Sequence, residues 1–306
     1  MADYPSAITS FPVLVDGVTP IEAGRHNDVA DEIVAIETEL GTNPKGTHTS
    51  VSALLAELLS GWNSIPGATW SYSSADAPTF VISINADVTG ILSVGMRIQL
   101  IQTTTKYFIV TAVGSYSAGA TLVTVFGGTD YVLSNADISS PVYSLAKAPK
   151  GFPLLPSKWK VSLTDTSDRT DATPPTQNTW INVGSTSLSF PIGAWLVSYK
   201  VFATANITFA AVASASFRVT LSTANNSQSD VGATAGHGTP LPIVTGTHGN
   251  LRAFLTLDNY LIDLAAKTTY YLNMLAATSS GGSSLNSITY AGASLPTSIE
   301  AVSAYL

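Results

Sequence analysis

The sequence predicts a mainly β protein with an N-terminal α-helical segment: a small β-barrel or sandwich, then a C-terminal jelly-roll-like β-sandwich. Three observations carry this. Charged residues are 11% of the 306 residues, while Ser and Thr supply about a quarter, with 23 Gly and 16 Pro. That mixture suits short strands and turns. Apolar residues recur at helical spacing before Gly61 and in short β-type runs after it. The formal charge of −7 is confined to residues 1–60, where nine acids face Arg25 and Lys45; residues 61–157 hold four of each sign and residues 158–306 seven of each. The predicted domains are a helical attachment or oligomerisation segment (1–61), a β-rich shoulder (62–145), a Pro/Gly linker (146–157) and the sandwich (158–306).

In the first segment, Thr19-Pro20-Ile21-Glu22 combines a capping box with proline at the first helical position, so a helix is expected to run from Thr19 to Leu40. Gly41 and Asn43-Pro44 stop it. Val29, Ile33, Ile36 and Leu40 form a narrow apolar seam flanked by Glu32, Glu37 and Glu39. A second helix is expected from Ser50 to about Ser60, with Leu54, Leu55 and Leu58 on its apolar face and Gly61 as its stop. Two such helices cannot bury their stripes alone. Either a partner chain covers them or they dock on β-domains of their own chain, and an intermolecular bundle is the favoured expectation.

From Gly61 to Pro156 the strand candidates are 69–72, 80–84, 97–102, 106–113 and 122–126, with a hairpin turn at Thr103-Thr104-Thr105. Five strands in so short a stretch suggest a small barrel or compact sandwich. The run from Ala146 to Pro156 is Pro- and Gly-rich and reads as a semi-rigid spacer. In the last domain strands are expected at 158–163, 179–183, 187–191, 194–203, 217–221, 252–257, 260–264, 269–276 and 299–306. Two of these are apolar on both faces. Trp195, Val197, Tyr199 and Val201 oppose Leu196 and Phe202, and Tyr270, Leu272 and Met274 oppose Tyr271 and Leu275. A strand facing water on one side alternates cleanly, so the outer face is expected to be covered, most economically by a symmetry mate. Trp195, Tyr199, Tyr270, Tyr271 and Tyr305 are the candidates for that interface. Thr223 to Leu251, rich in Asn, Ser, Gly, Thr and His, is too long for an idle connection. Asn225, Asn226, Asp230, His237 and His248 could contact a polar ligand such as surface carbohydrate, or the loop could lie over a neighbouring protomer.

Two resemblances bear on this. The run Asp16 to Gly46, with its core phrase Asp31-Glu-Ile-Val-Ala-Ile-Glu-Thr-Glu-Leu-Gly-Thr-Asn-Pro44, resembles the N-terminal segment of tailed-bacteriophage fibre and minor structural proteins. It covers about a tenth of the chain and implies a virion component attached by this end. The stretch Gly95 to Val110 resembles a module that follows the helical segment in such fibre-like proteins. Gly193 to Lys200, Tyr270 to Met274 and Ser298 to Leu306 resemble strand phrases of trimeric jelly rolls similar to tumour necrosis factor and C1q heads and to phage fibre tips, which implies a homotrimeric head.

Composition removes several function classes. Without cysteine there is no thiol catalysis, disulfide framework or Cys-based metal site. The four His show no metal-ligand spacing, no Gly-x-Ser-x-Gly elbow exists, and no cofactor is expected. No apolar run reaches a membrane span, the start carries no secretory signal, and no basic face suits nucleic acid. Paired carboxylates for sugar cleavage would have to come from acids such as Asp165, Asp168 and Asp171, which sit in a Thr-Asp-rich loop that reads as a solvated turn. The expectation is therefore a non-enzymatic homotrimeric fibre or spike on the outer surface of a phage particle. Its helices would anchor it to other virion proteins and its head would bind host-surface carbohydrate. The alternatives are a capsid-decorating, head-fibre or tail-tip protein without a receptor and, third, a polysaccharide depolymerase.

Overall fold

The computed structural model describes residues 23–41, 43–46, 48–171, 175–208, 213–241, 248–278 and 284–306. The protein is mainly β, and the chain divides into two compact units, residues 1–66 and 67–306. In the first, α1 spans Ala23–Leu40 and α2 spans Val51–Ser60. The expected start of α1 at Thr19 to Glu22 lies outside the described residues. Its stop is local chemistry: Gly41 takes φ 74° and its N–H donates to the Glu37 carbonyl at 2.9 Å. Ser50 caps α2 by accepting from the Ala53 N–H at 3.1 Å, and Gly61, at φ 72°, closes it. His48 Nε2 lies 2.7 Å from Glu57 Oε2, and Glu57 Oε1 accepts from the Ser64 N–H at 3.0 Å, so one carboxylate ties both flanks of α2.

The second unit opens with β1 (Trp70–Asp76), β2 (Thr79–Ile84), β3 (Arg97–Gln102), β4 (Thr104–Val113), β5 (Thr121–Phe126) and β6 (Ser139–Ser144). They form one antiparallel sheet in the order β1-β2-β5-β4-β3-β6. Ile82, Ile84, Ile98, Leu100, Phe108, Val110, Val123 and Val125 are fully buried. The β3–β4 turn is tighter than the expected Thr103–Thr105, because Gln102 already pairs with Thr104 and Thr103 alone turns the chain, at φ 65°. Strand β6 was not anticipated.

The remaining strands are β7 (Lys160–Asp165), β8 (Asp168–Asp171), β9 (Ser187–Phe190), β10 (Gly193–Thr208), β11 (Ala213–Ser222), β12 (Thr234–Leu241), β13 (His248–Leu264), β14 (Thr268–Thr278), β15 (Ser284–Ala291) and β16 (Thr297–Ser303). One sheet runs β7-β16-β10-β15-β8 and the other β12-β11-β14-β9. The long strand β10 pairs with β13 along one edge, and on the other edge with β16 over Trp195–Lys200 and β15 over Ala203–Thr208. The strand expected at 179–183 is only an isolated bridge from Ile181 to Met274, because the chain enters a 3-10 turn at Val183–Ser185. The strands expected at 252–257 and 260–264 are one strand carrying a bulge.

Two tyrosines staple these sheets. The Tyr199 hydroxyl donates to the Val219 carbonyl at 2.7 Å and accepts from the Ala235 N–H at 2.8 Å; the Tyr290 hydroxyl donates to the Leu272 carbonyl at 2.8 Å. Burial pushes both phenols above their ordinary pKa. The segment read as a semi-rigid linker is mostly exposed and is anchored by the buried Phe152. Phe152 stacks on Trp159 at 4.9 Å and 6°, and the Arg97 guanidinium lies 4.8 Å from the Phe152 ring centre. Phe126 of β5 meets Trp195 of β10 edge-on at 4.9 Å, and Arg97 Nη2 donates to the Tyr305 carbonyl at 2.8 Å, so the shoulder sheet and the sandwich share aromatic and polar contacts.

Candidate functional site

Among the described residues, the apolar seam of the helices is exposed. Val29, Ile33, Ile36 and Leu40 are exposed, as are Leu55 and Leu58, with Leu54 half-buried. An exposed apolar stripe of this length is unusual on a helical pair.

The stretch 223–251 differs from the long loop expected. Thr234–Leu241 is strand β12, paired with β11, and His248 begins β13 opposite Thr208. His237 therefore sits at a strand position opposite Phe217 rather than in a loop. Asn226 is a structural joint: its Oδ1 accepts from the Asn182 N–H at 2.6 Å and its N–H donates to Asn273 Oδ1 at 3.3 Å. Asp230 is also engaged, accepting from the Gly232 N–H at 2.8 Å and from the Tyr260 hydroxyl. The hydrogen bond to Asp230, with burial, raises the Tyr260 pKa. Of the three candidate contacts with described side chains, all are exposed, but Asn226 and Asp230 are engaged within the chain.

The interface candidates of the head are corrected in the same way. Trp195, Tyr199 and Tyr270 are buried inside the chain, with Tyr270 stacked on Phe190 at 5.0 Å, so they leave no surface for a partner. Tyr271 and Tyr305 are half-buried, and the Tyr305 hydroxyl accepts from the Ala194 N–H at 3.0 Å. The second face of β14 is covered by the chain's own residues: Asn273 Nδ2 donates to the carbonyls of Ala224 at 2.9 Å and Ser227 at 2.7 Å, and Leu275 is buried. No symmetry mate is required there.

The outer face of β10 is different. Leu196 pairs with Leu261 and Val302, and Phe202 with Phe254; Phe254 is 51% and Leu261 60% exposed. Between these apolar rungs the β10–β13 register slips. Val197 pairs with Tyr260 but Tyr199 with Leu257, so Ser198 faces both Asp258 and Asn259. Asn259 turns left-handed, at φ 56°, and its N–H donates to Ser198 Oγ at 3.0 Å. Around this bulge Ser198, Lys200, Asp258, Asn259, Ser298 and Glu300 line a cavity of about 490 Å³. Lys160 Nζ lies 2.5 Å from Glu300 Oε2. Sequence reasoning missed this cavity; its one signal is Asp258-Asn259 breaking an otherwise apolar β run, since Asn tolerates the left-handed region.

Among the described residues, no group of three or more His, Cys, Asp or Glu side chains could hold a metal, and no helix is long and apolar enough to cross a membrane. Asp165 accepts from Arg169 Nε at 2.6 Å and from the Ser167 N–H at 2.9 Å, which lower its pKa, and Asp168 accepts from the Ala293 N–H at 2.9 Å. Both carboxylates hold a turn and a strand end.

No protein-family model matches the chain, and no curated protein matches it. Among solved structures, the VP2 protein of infectious bursal disease virus from derived T=1 particles is similar over 81% of this chain and 78% of that one, at 13% identity and TM-score 0.25. The VP2 subviral particle of the same virus is similar over 81% of each chain, at 12% identity and TM-score 0.25. A tryptic core variant of Cry1Da from Bacillus thuringiensis is similar over 80% of this chain and 55% of that one, at 10% identity and TM-score 0.16. At these TM-scores the likeness assigns no function.

Proposed function

We propose that the chain is a structural protein of a tailed-phage particle: a homotrimer held to other virion proteins by its N-terminal helices, with its β unit outward to bind host-surface carbohydrate. The observation that carries this reading is the bare apolar seam of Val29, Ile33, Ile36 and Leu40, set in a helical segment that holds all the net charge. A seam at those spacings suits a parallel bundle. The resemblance of residues 16–46 to virion-attached segments supports the same end as the anchor. Binding would work by avidity, in which several weak sites on one rigid particle add up to firm adsorption without cleavage of the ligand.

A second reading, a decorating or tail-tip protein without a receptor, is favoured by one observation: Asn226 and Asp230 of the expected recognition stretch are spent on intrachain hydrogen bonds. Depolymerase activity is the third reading. Mass measurement in solution is expected to give three chains, and a stable monomer at micromolar concentration would remove the trimer. Saturating purified protein should block infection if the chain is the adhesin; unimpeded infection points to decoration. Incubation with host polysaccharide should leave chain length unchanged.

A further inference from the structure

We infer that the bulged outer face of β10, β13 and β16 is a saccharide-binding site for a neutral oligosaccharide. The inference rests on the adhesin reading above and moves its contact surface away from residues 223–251. The cavity at the bulge, about 490 Å³, is within the size range of small-molecule sites. Its walls offer hydroxyls from Ser198 and Ser298, an amide from Asn259, an ammonium from Lys200 and carboxylates from Asp258 and Glu300. Vicinal sugar hydroxyls donate and accept at once, so they need this mixture of donors and acceptors.

The charges are close to balanced. Lys160 neutralises Glu300, which leaves Lys200 against Asp258; among the described residues neither is tied into an ion pair. With one ammonium and one carboxylate left, the wall carries no net charge to favour an acidic or a basic sugar, so a neutral chain fits best. Parts of the wall are held before any ligand arrives, by the Asn259 N–H bond to Ser198 Oγ and by the Lys160–Glu300 pair, which lowers the ordering cost of binding.

An apolar platform lies on the same face. Lys200 is two residues from Phe202 along β10, and Asp258 is four residues from Phe254 along β13. At about 3.3 Å per residue the Phe202–Phe254 pair therefore lies roughly 7–13 Å from the cavity, within reach of a short oligosaccharide. The exposed Phe254 ring can take the C–H face of one sugar while the cavity takes the hydroxyls of another.

The test uses the full chain against a printed array of neutral, acidic and amino-substituted bacterial surface oligosaccharides, with calorimetry on the tightest binder. The wild-type protein is expected to select neutral chains. Asp258→Ala, Lys200→Ala and Phe254→Ala, all at exposed positions, should each weaken binding at least tenfold without changing melting temperature or oligomeric mass, while Asn225→Ala leaves affinity unchanged. Equal binding by wild type and these variants would overturn the site and leave the adhesin reading standing. Wild-type protein that binds nothing on the array removes both. Variants that change oligomeric mass instead would make this face a contact between copies of the chain and also overturn the site.

Discussion

Replacing Tyr199 by Phe removes one oxygen from the space between the two sandwich sheets and keeps the ring. In the wild-type protein that oxygen serves both directions, donating to the Val219 carbonyl at 2.7 Å and accepting from the Ala235 N–H at 2.8 Å, while Tyr199 is 1% exposed. Loss of the donated bond costs about 1 kcal/mol, and leaving the Ala235 N–H facing a buried ring costs about 1–2 kcal/mol more. The total of about 2–3 kcal/mol lowers the melting temperature of a unit this size by roughly 5–10 °C. Tyr290→Phe is the internal standard, because that hydroxyl only donates, to Leu272, and its removal is expected to cost about 1 kcal/mol, or roughly 2–4 °C. Calorimetric melting of both variants at one protein concentration gives the comparison. If Tyr199→Phe melts no lower than Tyr290→Phe, the two-way staple is not what holds the sheets and the reasoning fails.

The same phenols set an alkaline limit. Their folded-state pKa values are raised above about 10, so their stabilising contribution is complete below pH 10 and is lost as pH rises toward the folded values, at about 1.4 kcal/mol per pH unit for each phenol. Urea midpoints should therefore be level in pH as far as these groups act up to about 10 and then fall, less steeply in Tyr199→Phe. Gly128→Ala should cost more than Gly119→Ala: both glycines have positive φ, but a Cβ at Gly128 would lie 2.1 Å from the Lys158 carbonyl oxygen, whereas at Gly119 nothing lies within 4 Å. Gly119→Ala then carries only the left-handed strain of about 1–2 kcal/mol, a difference denaturant titration resolves. Paired Ile33→Asp and Ile36→Asp, on exposed positions of α1, should lower the solution mass toward one chain while the β unit keeps its melting temperature; an unchanged mass would place the association elsewhere.

What was legible in the sequence was local. Gly41, Ser50 and Gly61 act within one turn of the helix ends they close, so residue type alone predicts them. The runs at β2, β3 and β5 are dense in Val, Ile, Leu and Phe and appear where expected. Strands that borrow their structure from neighbours were missed. Asp168–Asp171 has little β propensity of its own and is a strand because it pairs with Ile288 to Ala291. Thr234–Leu241 carries two Gly and a Pro, acceptable only because β12 is the edge of its sheet. The contacts that anchor the expected linker join residues far apart, such as Arg97 with Lys147 and with Phe152, and no local pattern announces them. For the candidate site, period-two alternation sorted the β10 side chains correctly into two sets without saying which set faces inward. Bulky aromatics suggested an interface, and the structure turns those aromatics into the core and leaves Leu196 and Phe202 on the other face.

That parity error changes what the scarcity of charge means. A chain with 11% charged residues and mean hydropathy +0.27 has to hide apolar surface, and an obligate trimer is one way to do it. Much of the hiding is done within a single chain. Strand β14 is covered on one side by the opposing sheet and on the other by residues 224–227, and β5 and β10 meet through Phe126 and Trp195. The large exposed apolar residues include two groups, the helical stripes and the rungs around the β10–β13 bulge. The stripes are continuous along their helices, with Ile33, Leu55 and Leu58 more than half exposed, and ask for a helical partner. The rungs are interrupted by Ser198, Lys200, Asp258 and Glu300, and a polar break in an apolar face suits a ligand with both C–H and O–H surfaces better than a dry contact between copies. On the proposed reading the low overall charge separates into one surface for assembly and another for recognition, and the helix and bulge variants test them independently.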